Sequence, residues 1–354
     1  MDERKLAGCT LLRTLGEGHR PIKSMAWSPD GKYLAATLRD KTICVWNVVS
    51  GKRYREIDIH QKSIQALAWS PDGVYIASGS TDRTIHLWNT ENNRELSEII
   101  KCKRNVLCLT WFMSQDRLMF ACGSDEHDIR LWMAPNAQLG SGLEEMNPLR
   151  GHSRPVNAIA WSSNKKSSIA SASDDGTVRL WDVGIENCEW KWTYSHARKC
   201  RFPGVNWNYA LSLAWSPDGK LIAAGFIDGS VRILDVNNDG QLIKDKLTGK
   251  EIGLLNGHSS SVRALSFSND GRLLASKSGG RAPRLTSSGV AWNGSVRLWR
   301  TDCFQQVGAI NEPADHKWCT GLCFHPKDNL LATLGHNNST IRIWELHYRD
   351  LLGG

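Results

Sequence analysis

The chain has 354 residues, 41% hydrophobic and 23% charged, with 31 Gly, 11 Pro and 16 Trp, which excludes a disordered or collagen-like polymer and leaves ample material for a large core. A formal charge of +8 and a pI near 9.0 favour acidic partners at low salt but fall short of a nucleic-acid signature. Sixteen indoles are costly to leave on a surface, so most belong at equivalent buried positions in something periodic.

The charged opening MDERKLAG lacks the apolar stretch of a signal peptide, and no run approaches the length of a membrane span, so a soluble, cytoplasmic chain is expected. CTLLRTL, Cys9 to Leu15, reads as a strand ahead of the Gly18-His19 pair. AWSPDGKYLAATLRDKTICVWN then begins at Ala26, and AWSPDGVYIASGSTDRTIHLWN repeats it in register from Ala68, an offset of 42 residues. Further copies begin at Leu109, Ala158, Leu213, Leu265 and Leu322, which makes seven. One aromatic marks the first strand of each unit: Trp27, Trp69, Trp111, Trp161, Trp215, Phe267 and Phe324. A large apolar residue ends the third: Trp46, Trp88, Trp132, Trp181, Leu234, Trp299 and Trp344.

Within a unit, Ser-Pro-Asp-Gly at Ser28, Ser70 and Ser216 places Pro where a turn needs its fixed φ and Gly at the fourth position. Stretches such as TVRLW from Thr177 alternate faces as half-buried strands, and no 3.6-residue pattern appears anywhere. A small sheet of this kind cannot bury both faces alone, so the units must stack on one another. The ten Cys sit at unrelated positions and read as reduced. Cys319 and Cys323 have suggestive spacing, but no second pair follows at zinc-site distance, so no metal or other cofactor is expected.

These seven repeats resemble the WD40 family over residues 10–346. The resemblance implies an all-β, seven-bladed β-propeller of four-stranded antiparallel blades, closed by the N-terminal strand joining the last blade. Residues 1–9 and 347–354 are then short terminal tails with no room for an effector domain. It also implies a buried tetrad of His, Ser, Asp and Trp in well-conforming blades, matched by His60, Ser78, Asp82 and Trp88 and by His152, Ser171, Asp175 and Trp181. These imitate a catalytic triad, but a nucleophile is one activated Ser in one exposed site, whereas here the set recurs and no Gly-x-Ser-x-Gly elbow occurs. The reading is structural, and no catalytic residue or enzyme activity is assigned. Other units depart from the set. The first has Ala36 with His19, Asp40 and Trp46; the third has Lys103-Arg104 in place of Gly-His and carries Cys122; the fifth has Ala224 and Leu234 with Asp228; the last two carry Asn293 and Asn338.

By the same resemblance, loops before the first strand and after the second lie on one upper face. Two basic insertions fall there, Ser195 to Tyr209 and Lys277 to Trp292, while loops after Trp132 and Val236 lengthen the lower face. The candidate partner-binding residues are Arg20, Lys103, Arg104, Arg154, Arg201, Phe202, Trp207, Tyr209, Arg281, Arg284, Lys317 and Trp318. Arg beside aromatic anchors is interface chemistry suited to a protein or an acidic peptide. The expected function is a non-catalytic scaffold or sensor, as a monomer or as one subunit of a hetero-complex. A propeller that binds single-stranded nucleic acid, or a non-catalytic subunit of a larger enzyme complex, is the alternative.

Overall fold

Turn chemistry starts each unit. The computed structural model describes residues 5–6, 8–16, 20–96, 99–114, 117–134, 139, 142–162, 168–184, 188–195, 208–236, 242–243, 246–247, 250–279, 284–286, 289–291, 293–313, 321–335 and 339–353. In the first turn the Gly31 amide donates to the Ser28 carbonyl at 2.9 Å and the Ser28 hydroxyl donates to Asp30 at 2.6 Å. The Tyr33 amide closes the loop by donating to Ser28 Oγ at 2.9 Å. Ser216 and Ser268 repeat this knot. Gly31 has φ of 80°, a left-handed geometry that glycine adopts without steric cost.

From these hairpins seven antiparallel blades form among the described residues. Blade 1 comprises Ile22–Trp27, Tyr33–Leu38, Thr42–Asn47 and Arg53–Asp58; blade 2 comprises Ile64–Trp69, Tyr75–Ser80, Thr84–Asn89 and a split outer strand, Arg94–Glu95 and Ile100–Lys101. Blade 3 comprises Val106–Ser114, Arg117–Ser124, Ile129–Met133 and Glu144–Glu145; blade 4 comprises Val156–Trp161, Ser168–Ser173, Thr177–Val183 and Cys188–Ser195. Blade 5 comprises Ala210–Trp215, Leu221–Phe226, Val231–Asp235 and Lys250–Leu255; blade 6 comprises Val262–Phe267, Leu273–Ser278, Asn293–Arg300 and Gln306–Pro313. Blade 7 takes Leu322–Phe324, Leu330–Leu334 and Ile341–Leu346 from the C-terminal end and Cys9–Leu15 from the N-terminal end. Cys9 pairs with Leu346 and Leu15 with Ile341, so the expected latch closes the ring.

The hydrophobic core is distributed over the blade boundaries. Seven clusters each combine residues of two adjacent blades, including blade 7 against blade 1 through Leu334, Ile343, Leu34 and Trp46. The first-strand indoles stitch these boundaries. Trp27 donates its N–H to the Cys323 carbonyl at 3.3 Å, Trp69 to Ala26 at 3.1 Å, Trp111 to Ala68 at 3.2 Å and Trp215 to Ala160 at 3.0 Å. Each bond runs to the residue just before the equivalent aromatic of the preceding blade. Trp161 stacks on Phe112 of blade 3 instead, with ring centroids 3.8 Å apart. Glycine at one second-strand position admits the neighbour's valine: a Cβ on Gly79, Gly123 or Gly225 would meet Val106, Val156 or Val262 at 2.4, 2.8 or 2.7 Å.

The C-terminal residues are not all tail. Tyr348–Leu352 form a short helix that the repeat pattern does not announce, with Leu351 buried in the core between blades 6 and 7. The His347 amide donates to the Gly8 carbonyl at 2.8 Å, and Arg300 donates to the Leu352 carbonyl at 2.6 Å. Gly8 and the short helix are therefore fastened to blades 7 and 6. Trp27→Phe keeps an aromatic ring but removes the indole N–H at that boundary; urea unfolding should show a loss of about 1–3 kcal/mol with an unchanged slope.

Candidate functional site

Two hairpin ends meet on one rim of blades 1 to 6. The residue that follows the second strand donates its amide back to the loop before the first: Arg39 to Pro21, Thr81 to Ser63, Asp125 to Asn105, Asp174 to Pro155, Ile227 to Tyr209 and Gly279 to Ser261. This puts the tetrad residues beneath a common upper face. In blade 4, His152 Nδ1 lies 2.8 Å from Asp175 and its Nε2 lies 2.7 Å from Ser171 Oγ, which also receives the Trp181 indole N–H at 2.8 Å. A carboxylate only accepts, so Nδ1 carries the proton and donates to Asp175, while the Ser171 hydroxyl donates to Nε2. The His152 side chain is 0% exposed. The arrangement copies a triad, but the hydroxyl is occupied from both sides in a closed interior and acts as a brace.

Electrostatics follow from that burial. Desolvation pulls His60, His152 and His258 below the ordinary histidine value, His258 to about 3 with Arg297 adding to the effect, so all three stay neutral near pH 7. Burial works in the opposite direction on Asp175, raising it, yet the bonds from His152 and Thr177 outweigh burial and hold this carboxyl below its usual range. Asp82 behaves likewise with Thr84, His60 and Gln61.

The other blades vary the device. In blade 2, His60 bonds Asp82 at 2.9 Å and Ser78 at 2.8 Å, but Trp88 does not complete the expected tetrad. His86 stands where blade 4 has Arg179, packs edge-on against His60 at 4.4 Å and bonds Glu95, so imidazole fills the space beside Ser78. Trp88 instead lines a cavity of about 180 Å³ between blades 1 and 2, with Tyr33, Tyr54, Arg55 and Trp69. Blade 6 holds a brace that the Asn293 departure concealed: His258 bonds Ser276 at 2.7 Å and Ser295 at 3.1 Å, and Trp299 donates to Ser276 at 2.7 Å. The nine-residue spacing from His258 to Phe267, equal to that from His152 to Trp161, was the available signal. Blade 5 lacks the His, and Asn208 donates to Asp228 at 2.9 Å in its stead. In blade 7, Trp344 donates to Thr333 at 3.0 Å. Blade 3 corrects the alignment: the Gly-His position is Lys101-Cys102, not Lys103-Arg104, because Arg130 Nη1 donates to the Lys101 carbonyl where Arg179 approaches Gly151 in blade 4.

Of the candidate partner-binding residues, Arg201, Phe202, Trp207, Arg281, Lys317 and Trp318 lie outside the described residues, as do His19 and Asn338. Arg284 falls in Arg284–Thr286, which pairs with Gly289–Ala291 inside the sixth-blade insertion. Lys103, Arg104 and Arg154 are exposed on the rim, and Tyr209 is half-buried there. Arg20 is held by Asp40 at 3.3 Å and Glu56 at 2.5 Å, and Lys103 is 3.7 Å from Glu126. The rim opens on a central channel of about 200 Å³ whose walls include Ser24, Gln65, Asn157, Ser212 and Arg263. Asn157 donates to Asp174 at 2.7 Å; burial raises the Asp174 carboxyl, and that bond, Arg263 and Arg154 pull against the rise. The channel mouth thus carries both signs of charge, and Asp174 and Arg263 are rim residues that composition did not single out. Cys319 lies outside the described residues, and burial pushes the Cys323 thiol up to about 12, against the thiolate that a metal requires.

Removing one brace should cost far more than removing a rim ion pair. Asp175→Ala leaves His152 and Thr177 short of an acceptor and should lower stability by about 1–3 kcal/mol, whereas Asp40→Ala, 43% exposed, should cost under about 1 kcal/mol in the same thermal melts. Acid should also weaken the fold. An imidazole held at about 3 when folded and at its ordinary 6.5 when unfolded makes the unfolded chain the better proton binder between those values. The His258 contribution is therefore complete above pH 6.5 and drains as pH falls towards 3. Stability measured by urea unfolding should fall along this limb, and His258→Gln should reduce the slope there by about 1.4 kcal/mol per pH unit.

Comparison with known proteins agrees with this architecture. The family described as WD domain, G-beta repeat matches residues 9–47, 51–89, 143–182, 249–300 and 310–345, and the anaphase-promoting complex subunit 4 WD40 domain matches 203–256. Protein transport protein sec13 of Aspergillus oryzae is 32% identical over 129 residues, 36% of this chain and 40% of that protein. Protein tipD of Dictyostelium discoideum is 30% identical over 128 residues, 35% of this chain and 18% of that protein. The chain thus matches well under half the length of these curated relatives. The β-propeller domain of Myceliophteria thermophila Cps50 (Swd1) superposes with a TM-score of 0.73 at 16% identity, covering 94% of this chain and 99% of that domain, a likeness of fold. With seven antiparallel blades among the described residues and repeat matches along more than half its length, the chain belongs to the WD40 repeat family.

Proposed function

We propose that this propeller is a non-catalytic protein-interaction module, working as a subunit of a hetero-complex in the cytoplasm, that receives an acidic segment of a partner across its upper rim. The observation carrying this reading is the set of exposed cations Lys103, Arg104 and Arg154 beside the channel mouth, on loops tied to a rigid ring by a repeated backbone bond. Preordered loops lose little entropy on docking, so a modest charged contact suffices for useful affinity. The buried, doubly engaged Ser171 and Ser276 speak against acyl-transfer chemistry at the tetrads. The relatives' names add support for membership of an assembly, since one matching family is itself a complex subunit.

Reversing charge at Arg104 and Arg154, both to Glu, should reduce retention of acidic protein partners at least about ten-fold in quantitative affinity capture, with no change in melting temperature. Equal retention by the variant would remove the rim from consideration. A shift of single-stranded oligonucleotide mobility that vanishes with salt would support the nucleic-acid alternative instead.

A further inference from the structure

Blade 3 has exchanged its brace for sulfur. Cys102 stands nine residues before Trp111, as His152 stands before Trp161, and Cys122 occupies the place of Ser171. In blades 2, 4 and 6 the side chains at these two places meet at 2.8, 2.7 and 2.7 Å. Both cysteines are buried in the core between blades 2 and 3, Cys102 with 8% exposure and Cys122 with 1%. The two thiols act on each other, Cys122 lowering Cys102, and Cys102 together with burial raising Cys122. Arg130 stands over Trp132 at 4.8 Å and donates to the carbonyl of Lys101, next to Cys102, so a cation adjoins the more acidic thiol. The third nearby thiol, Cys108, is pushed up to about 12 by burial and points its Sγ at the Val156 carbonyl at 3.5 Å.

We propose that Cys102 and Cys122 form an oxidation site, a facing dithiol that small hydroperoxides convert to a disulfide across the junction of blades 2 and 3. Cys102, having released its proton to solvent, attacks the peroxide as thiolate; an S–O bond forms, the O–O bond breaks, and Cys102 becomes a sulfenic acid while alkoxide or hydroxide leaves. That anion takes the Cys122 proton. The Cys122 thiolate then attacks the sulfenyl sulfur, the S–S bond forms, and hydroxide departs and is protonated to water. The two sulfurs together lose two electrons, and the peroxide gains them. The replacement of the brace thus has a chemical consequence: the positions that elsewhere hold a neutral hydrogen bond here hold two groups that can be joined covalently. Cys303, exposed and on another blade, serves as an internal comparison for an isolated thiol.

The test treats the whole protein with hydrogen peroxide, alkylates remaining thiols in denaturant and maps the peptides. The expected result is loss of alkylation at both positions together, a Cys102–Cys122 linked peptide lighter than the sum of its parts by two hydrogens, and full recovery after dithiothreitol. Cys122→Ser, which installs the residue that blades 2, 4 and 6 already carry there, should abolish the link and leave a sulfenic acid on Cys102 that dimedone traps. Full alkylation of both cysteines at a dose that oxidises Cys303, or a link from Cys122 to Cys108, would overturn the assignment.

Discussion

The rest of the structure depends on contact between neighbouring blades. Among the described residues no blade has a second layer of its own to bury against; each of the seven apolar clusters is shared by two adjacent sheets, and four first-strand indoles pin those shared surfaces by bonding to the preceding backbone. A blade is therefore stable only in company, and the series has to end by meeting itself. Trp27 bonding to Cys323, together with the pairing of Cys9–Leu15 on Ile341–Leu346, is that meeting. Ring closure also leaves no first or last sheet edge open to pair with another molecule.

Within this frame the polar braces are a second layer of specification. A buried imidazole, hydroxyl and carboxylate are tolerable because each satisfies the other, and the arrangement fixes where the loop before the first strand sits relative to the turn after the second. Asn208 bonded to Asp228, Ser295 bonded to His258 and Thr333 receiving Trp344 show the same requirement met by other side chains. At the brace positions of blades 4 to 7, what persists is a hydrogen bond between buried polar side chains, more than any one residue type. Blade 3 is where sulfur takes over, and its weaker hydrogen bonding brings reactivity that oxygen and nitrogen at those places do not have.

The upper rim inherits its rigidity from this construction. Arg104 and Arg154 project from loops whose backbones are tied down, while Asp125 and Asp174 behind them keep the channel mouth from being uniformly basic. The partner proposed for that surface would encounter a pattern of charge, which suits discrimination between protein partners better than indiscriminate attraction of polyanions.

The blade number was legible in the amino-acid order because a motif seen seven times cannot be an accident of composition, whereas the strand order, the latch and the blade 4 tetrad were what the resemblance to the WD40 family implied. Tertiary structure alone decided what happens where the motif breaks. Whether Trp88 joins its tetrad depends on how His86 packs against His60, residues far apart on the chain brought together by strand pairing. The docking of Leu351, the substitution of Ser295 for a missing carboxylate and the burial of Cys102 and Cys122 in one core arise in the same way. Periodicity records which positions look inward, but the partner that each side chain finds there is set by the neighbouring sheet, and that information is spread over residues with no fixed separation in sequence.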